Sequence, residues 1–100
     1  MRMSLASLRV VRAMLAEPSA QRYGLELTRE TGVQAGTLYP ILTRLEKAGW
    51  LEGGWEDIDE KLLGRRARRY YKLTALGLRE ARRALTREGM VVGAPGVLHG

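Results

Sequence analysis

Apolar residues recur every three or four positions near the start of the chain, which is the spacing of one face of an α-helix. Ser4 precedes them as a candidate N-cap, and Pro18 follows them where a helix should already have ended. We therefore predict a first helix over about residues 4–16. Its inward positions are Leu5, Leu8, Val11 and Leu15.

A second, shorter helix is predicted over about residues 21–31, because Gly32 follows as a plausible helix-terminating residue. The side chains expected near the core in this region are Tyr23, Leu25, Leu27 and Val33.

The segment VQAGTLYPILTRLEKAG, residues 33–49, has the clearest helical pattern of the chain. Its apolar positions fall at i, i+3, i+4 and i+7, and they are Leu38, Ile41, Leu42 and Leu45. Gly49 is expected to end this third helix. Pro40 lies inside it; if the helix begins near Ala35, the proline removes the hydrogen bond to the carbonyl of Gly36. Because Gly36 has no Cβ, we expect it to leave room for the proline ring.

Two later segments, residues 50–58 and 68–74, are rich in aromatic and aliphatic residues, which is typical of β-strands. The polar segment between them predicts an antiparallel hairpin with a long loop. The pair Gly53–Gly54 suggests a bulge or bend in the first strand. The aromatic residues expected in the hairpin core are Trp50, Trp55, Tyr70 and Tyr71.

A last helix is predicted over about residues 75–88, with Thr74 as its N-cap. Residues 89–100 combine glycine, proline and small apolar residues, and a flexible tail is expected there. The predicted fold is therefore mainly α with a small antiparallel β-hairpin. Its order of three helices, a hairpin and a final helix, within one domain over residues 1–88, is that of a winged helix-turn-helix.

The amino-acid composition excludes several classes of function. The chain has no cysteine and a single histidine, His99, and it shows neither a nucleophile–base pair nor a phosphate-binding glycine loop. We therefore expect no enzyme activity, no metal and no cofactor. No apolar run reaches the roughly 20 residues of a membrane helix, so a cytoplasmic protein with no membrane partner is expected. The net charge of +6 favours a polyanionic partner such as nucleic acid.

The basic residues concentrate in the second half of the hairpin, where no acidic residue interrupts them. They are Lys61, Arg65, Arg66, Arg68, Arg69 and Lys72. The acids lie just before them, at Glu52, Glu56, Asp57, Asp59 and Glu60. One interpretation is that the arginines straddle phosphates or reach a minor groove. The other is a salt-bridged hairpin, although exposed ion pairs contribute little and some arginines should then stay free for phosphate.

Two segments, YGLELTRETGVQAGTLYPILTRLEKAGWLEGGWED and GRRARRYYKLTALG, resemble the PadR family of winged-helix transcriptional regulators. The shared signature is a GTLYPxLxRLExxGxL helix followed by a wing and an R-x-R-x-YYxLTxxG ending, and the resemblance covers residues 23–77. The resemblance implies a homodimer that represses transcription at an inverted-repeat operator, and relatives respond to small aromatic compounds. Family members usually have proline where Ala67 stands. They also end in longer helices, so the first helix is expected to contribute more to dimer contacts here.

In a winged helix-turn-helix the third helix enters the major groove of double-stranded DNA, and the wing contacts the neighbouring backbone. Gln34 and Thr37 are the candidates for contacts with bases, and Tyr39 is equally compatible with a phosphate contact or a core position. The full set of candidate DNA-binding residues is Gln34, Thr37, Tyr39, Thr43, Arg44, Lys47, Arg65, Arg66 and Arg68. The alternatives are a protein-interaction module, a non-specific nucleic-acid-binding module, or recognition of double-stranded RNA.

Overall fold

The computed structural model describes residues 3–89, and it confirms the winged helix-turn-helix. The predicted tail, apart from Gly89, and His99 with it, lie outside the described residues. The elements in chain order are α1 (Leu5–Ala16), β1 (Arg22–Tyr23), α2 (Gly24–Thr31), α3 (Ala35–Lys47), β2 (Leu51–Trp55), α4 (Glu60–Leu63), β3 (Arg69–Leu73) and α5 (Ala75–Arg87).

Helix α1 begins where its cap predicts. The hydroxyl of Ser4 accepts a hydrogen bond from the amide of Ser7 at 3.1 Å, which satisfies one of the free donors of the first turn. Leu8, Val11 and Leu15 are buried as expected, whereas Leu5, in the first turn, is 61% exposed. The helix packs against α2, α3 and α5 and so forms the back of the helical core.

The corner between α1 and α2 contains a short strand and a buried arginine that the periodicity did not indicate. The Arg22 side chain is 1% exposed; it donates to the carbonyl of Ala13 at 2.8 Å and pairs with Glu26 and Glu30. These bonds satisfy a guanidinium that would otherwise be costly to bury. The strand shortens the second helix, which starts at Gly24. The expectation for Leu25 is wrong: this side chain is 57% exposed, and Leu27 provides the buried position.

Helix α3 buries its predicted stripe and ends at its predicted glycine. Its buried side chains are Leu38, Ile41, Leu42 and Leu45. Gly49 has φ of 82°, a left-handed conformation that glycine adopts without a steric penalty. Pro40 lies inside the helix as predicted, but the expected role of Gly36 is wrong. A Cβ at Gly36 would have no atom within 4 Å, so its absence is not what accommodates the proline ring.

The three strands form an antiparallel sheet in the order β1-β3-β2. Strands β2 and β3 pair without interruption from Leu51–Leu73 to Trp55–Arg69, so the expected bulge is absent from this hairpin. The two glycines instead leave room for side chains of the neighbouring strand. A Cβ at Gly53 would lie 2.5 Å from the guanidinium of Arg69, and one at Gly54 would lie 2.5 Å from the Tyr70 hydroxyl oxygen.

The hairpin aromatics divide between the core and the surface. Trp50 and Tyr71 are buried as expected, and Tyr70 is half-buried. The expectation for Trp55 is wrong, because this side chain lies at the end of β2 and is 63% exposed. The aromatic core therefore lies at the base of the hairpin, next to α3 and α5.

A short helix, α4, replaces part of the long loop predicted between the strands. The carboxylate of Asp59 caps it by accepting from the amides of Lys61 and Leu62, both at 3.1 Å. Its apolar side chains are not buried; Leu62 is 81% exposed. A helix with no buried face leaves no periodic pattern in the sequence.

Helix α5 is joined to the end of α3 by a close backbone contact. The Thr74 hydroxyl donates to the carbonyl of Gly49 at 2.6 Å and accepts from the amide of Gly77 at 2.9 Å, which confirms Thr74 as the N-cap. The Thr74 amide donates to the carbonyl of Trp50 at 3.0 Å. Gly77 lies so close to Trp50 that a Cβ would come within 1.9 Å of that carbonyl oxygen.

Candidate nucleic-acid interface

Helix α3 presents a polar face opposite its buried stripe. All six candidate side chains of this region are exposed, and they are Gln34, Thr37, Tyr39, Thr43, Arg44 and Lys47. Arg44 and Lys47 lie in the last turn, and neither forms an ion pair with an acid within residues 3–89. The cationic side chains of this face are therefore available to an external anion.

The first turn of α3 is open. Gln34 is the N-cap residue, and its carbonyl accepts from the amides of Thr37 and Leu38 at 2.9 and 2.8 Å. Its side chain makes no capping bond, and no acid lies in the first turn. The amides at the start of a helix have no intrahelical acceptor and carry partial positive charge. This end of the helix is suited to a phosphate oxygen.

Tyr39 occupies a position between the two predicted alternatives. Its side chain is 44% exposed, so it is not a core residue. Its ring edge nevertheless lies against the first residue of α2, where a Cβ on Gly24 would be 2.1 Å from the Tyr39 hydroxyl oxygen. The hydroxyl forms no hydrogen bond with another residue in the range 3–89, so it can donate outward.

In the wing, which we define as residues 51–73, one carboxylate binds two arginines. Glu56 accepts from the Arg65 guanidinium at 2.7 and 3.3 Å. It also accepts from the Arg68 amide at 2.8 Å and from the Arg68 guanidinium at 3.2 and 3.3 Å. These hydrogen bonds from Arg65 and Arg68 hold the pKa of Glu56 far below its usual range. The carboxylate is therefore ionised and keeps both arginines paired at neutral pH.

A second carboxylate binds the backbone of the wing. Glu60 accepts from the amide of Ala67 at 2.5 Å. A proline at position 67, which the resemblance would lead one to expect, has no amide hydrogen and could not form this bond. In this chain the hydrogen bond from the Ala67 amide to Glu60 of α4 restrains the wing tip, where a proline ring would restrain it by fixing φ.

Two further arginine contacts join the wing to the helices. Arg69 of β3 pairs with Glu46 of α3 at 2.8 Å, in the space left by Gly53. The Arg68 guanidinium lies 4.7 Å from the centre of the Tyr23 ring, at the start of the helix-turn-helix. The wing is thereby attached to α3 by an ion pair and to β1 by a cation–π contact.

The structure thus retains both interpretations of the basic run, for different residues. Arg65, Arg68 and Arg69 are paired with acids, whereas the guanidinium of Arg66 has neither an acidic partner nor a hydrogen bond inside the range 3–89. The sequence did not single out Glu56. A signal was available, because extending the strand register by one step from Trp55–Arg69 places Glu56 opposite Arg68.

Residues 3–89 contain neither a membrane-spanning helix nor a metal-binding cluster. No helix there has the length and apolar character needed to cross a membrane. The same residues include no cluster of three or more side chains able to hold a metal ion.

Comparison with solved structures supports the fold. The transcriptional regulator PcaV from Streptomyces coelicolor, solved in complex with its natural ligand, superposes with a TM-score of 0.69 at 23% identity. The match covers 87% of this chain but only 56% of that protein, so the chain spans little more than half the length of this neighbour. At this identity the match supports the fold alone.

Two neighbours are more similar in sequence. The protein smu.1704 from Streptococcus mutans UA159 is 31% identical over 89% of this chain and 83% of its own, with a TM-score of 0.65. A PadR family transcriptional regulator from Eggerthella lenta DSM 2243 is 29% identical over 82% of this chain and 70% of its own, with a TM-score of 0.64. The comparison with curated proteins yields no match.

The model of the transcriptional regulator PadR-like family matches residues 13–83, a stretch that includes α2, α3 and the whole wing. Most of the described elements, with the signature residues of α3 and β3, therefore lie inside the match. The family consists of transcriptional regulators, which confirms the expectation of a protein that is not an enzyme. The chain belongs to the PadR-like family of transcriptional regulators.

Proposed function

We propose that the protein represses transcription by binding, as a homodimer, to an inverted-repeat operator in double-stranded DNA. One observation carries the proposal: an exposed polar helix face with an uncapped N-terminus is joined, through the ion pair between Glu46 and Arg69, to a wing whose Arg66 forms no ion pair within residues 3–89. A winged helix-turn-helix uses these two elements for the major groove and the adjacent backbone.

Helix α3 contributes the specificity in this proposal. Gln34 and Thr37 lie at its N-terminal end, the part of a recognition helix that contacts base edges. Gln forms paired hydrogen bonds with adenine, and Thr combines a hydroxyl with a methyl group that packs on thymine. The remaining candidates bind the sugar-phosphate backbone, and they are Tyr39, Thr43, Arg44 and Lys47.

The wing contributes affinity. Arg65, Arg66 and Arg68 are the candidate side chains of this element, and all three are exposed. Contacts between arginine and phosphate position a protein on the duplex without selecting a sequence. We therefore assign the choice of operator to α3 and most of the salt dependence of binding to the cationic groups.

A homodimer belongs to the proposal because the family resemblance implies one, and its two subunits would match the two equivalent half-sites of an inverted repeat. The exposed Leu5 on α1 gives the predicted dimer helix an apolar side chain for a partner subunit. Sedimentation of the free protein measures this step. A small aromatic effector stays a prediction from the family resemblance.

The proposed function is tested by titrating labelled genomic fragments at several salt concentrations, followed by footprinting. We expect one or a few fragments to keep their binding in excess competitor DNA and to show a two-fold symmetric footprint. A specific site is typically bound about 10³-fold or more tightly than random DNA. Equal affinity for all fragments would contradict a repressor and would favour a non-specific nucleic-acid-binding module.

Replacing Thr37 with alanine should change which operator is preferred. The loss of one base contact costs about 1–3 kcal/mol at the matched base pair and little on random DNA. The measurement is the affinity of Thr37→Ala for the operator and for single-base variants of it. Thr86→Ala is the control, because Thr86 is also an exposed helical threonine but lies on α5. A uniform loss of affinity across all sequences would show that Thr37 contacts no base.

A further inference from the structure

The wing arginines are not equivalent. Glu56, whose side chain is 10% exposed, forms ion pairs with both Arg65 and Arg68. Arg66 lies between them in the sequence, is exposed, and forms no ion pair within the described residues. The carboxylates of Glu56 and Glu60 accept hydrogen bonds from other groups of the wing.

We infer that Glu56 and Glu60 are positioning residues that hold Arg65, Ala67 and Arg68 within the wing, so that Arg66 is the wing arginine that contacts DNA phosphate. The inference rests on the proposed DNA-binding function. It deepens that proposal by giving the three arginines different roles, two of them internal to the protein and one directed to the duplex.

Several hydrogen bonds hold Arg65 and Arg68 to Glu56 in the free protein. The Arg65 guanidinium gives Glu56 two hydrogen bonds, and the Arg68 guanidinium gives it two more. Such charge-assisted bonds with more than one contact are the strong ones among ion pairs. A DNA phosphate can take over the donors that Arg65 and Arg68 give to Glu56 only by breaking this arrangement and leaving Glu56 facing the polyanion.

Arg68 is constrained by two different contacts. Its guanidinium lies over the ring of Tyr23 at 4.7 Å while it is bonded to Glu56. Turning it toward DNA would lose the cation–π contact as well as the ion pair. This residue joins the wing to the helix-turn-helix rather than to a ligand.

The backbone around Arg66 is held by hydrogen bonds to side chains of the wing. The Arg66 carbonyl accepts from the Arg65 guanidinium at 3.1 Å, the Ala67 amide donates to Glu60, and the Arg68 amide donates to Glu56. Backbone groups at three successive residues are therefore fixed by side chains of the wing. The Arg66 side chain projects from this fixed segment, so only its own rotamers are ordered when it meets a phosphate.

The consequence can be measured from the salt dependence of binding. The logarithm of the affinity falls linearly with the logarithm of the salt concentration, and each protein cation that neutralises a phosphate adds about 0.9 to the magnitude of this slope. A larger slope therefore means a steeper loss of affinity with salt. Arg66→Ala should lower the slope by about 0.9, whereas Arg65→Ala and Arg68→Ala should leave it nearly unchanged. Glu56→Gln releases two arginines and should raise the slope by up to about 1.8.

The control is Glu52→Gln, which removes the same charge from β2 at an exposed position that forms no ion pair within the residues described. It should leave the slope nearly unchanged, because Glu52, although opposite Lys72 in the strand register, forms no ion pair that the substitution would break. If Glu56→Gln only disturbed the structure of the wing and released no arginine, the slope would not increase. Glutamine keeps the shape of Glu56 and one acceptor oxygen, so Glu56→Gln tests the charge while the fold is retained.

The slopes are measured on a random duplex, so the outcome does not depend on finding an operator. Arg65→Ala or Arg68→Ala lowering the slope as much as Arg66→Ala would overturn the inference, and so would identical slopes for Glu56→Gln and Glu52→Gln. A protein that shows the expected slopes but prefers no genomic fragment would instead contradict the proposed repressor and leave the roles of the wing residues in place.

Discussion

Replacing Gly77 with alanine is expected to reduce the free energy of unfolding by more than about 3 kcal/mol, beyond the usual cost of overpacking. The new Cβ would lie 1.9 Å from the carbonyl oxygen of Trp50 and 2.7 Å from its carbonyl carbon. Both are backbone atoms, so no side-chain rotation relieves the contact. The first turn of α5 would have to move away, which would break the Thr74 bonds to Gly49 and Trp50.

The comparison is Gly36→Ala, measured with it by urea unfolding followed by circular dichroism. Gly36 is also a helical glycine, but a Cβ there has no atom within 4 Å. Alanine at an open helical position stabilises by about 0.5–1 kcal/mol. The two substitutions should therefore shift the midpoint in opposite directions. If the free energy of unfolding of Gly77→Ala lies within about 1 kcal/mol of the parent value, the close approach of α5 to Trp50 is not a constraint on the fold.

Replacing Leu42 with alanine is expected to cost about 2–5 kcal/mol, the range for truncating a fully buried leucine. Leu42 has 0% exposure and lies in the middle of the buried face of α3, so its removal leaves a cavity under the helix that is proposed to contact DNA. Domains of this size are stable by only about 5–15 kcal/mol. Thermal unfolding should therefore occur at a clearly lower temperature, with DNA binding lost as the folded fraction falls.

The neighbouring residue provides the control for this prediction. Thr43 is exposed on the other face of the same helix, and Thr43→Ala should change stability by no more than about 0.5 kcal/mol. Its effect should appear only in DNA binding, where a backbone contact is proposed. Similar losses of stability in both variants would show that α3 has no free face, which would contradict its use as a recognition helix.

The helical framework could be predicted from sequence because each long helix buries one face. The stripe of α3 and the cap of α1 each leave a local pattern in the sequence. Helix α4 and strand β1 leave none: the first buries no side chain, and the second has two residues whose pairing depends on β3. The exposure of Trp55 likewise follows from where β2 ends, which local propensity does not define.

The candidate site was predictable in its parts but not in its pairings. Exposed cations on α3 and in the wing follow from composition and periodicity, and the structure places them at the surface. That Glu56 binds Arg65 and Arg68 depends on the strand register and on the turn formed by α4. Arg22 was missed for a related reason, since an arginine near several glutamates resembles an ordinary solvated residue until its burial is known.

The ion pair between Glu46 and Arg69 has a consequence for how the proposed complex would form. It links α3 to the wing in the free protein, and its two side chains occupy the space beside Gly53. The entropy of aligning the two elements is then lost during folding and not at the encounter with DNA. A duplex whose grooves do not match this arrangement of α3 and the wing has to deform to bind. The energy of that deformation adds selectivity at base pairs that the protein does not touch.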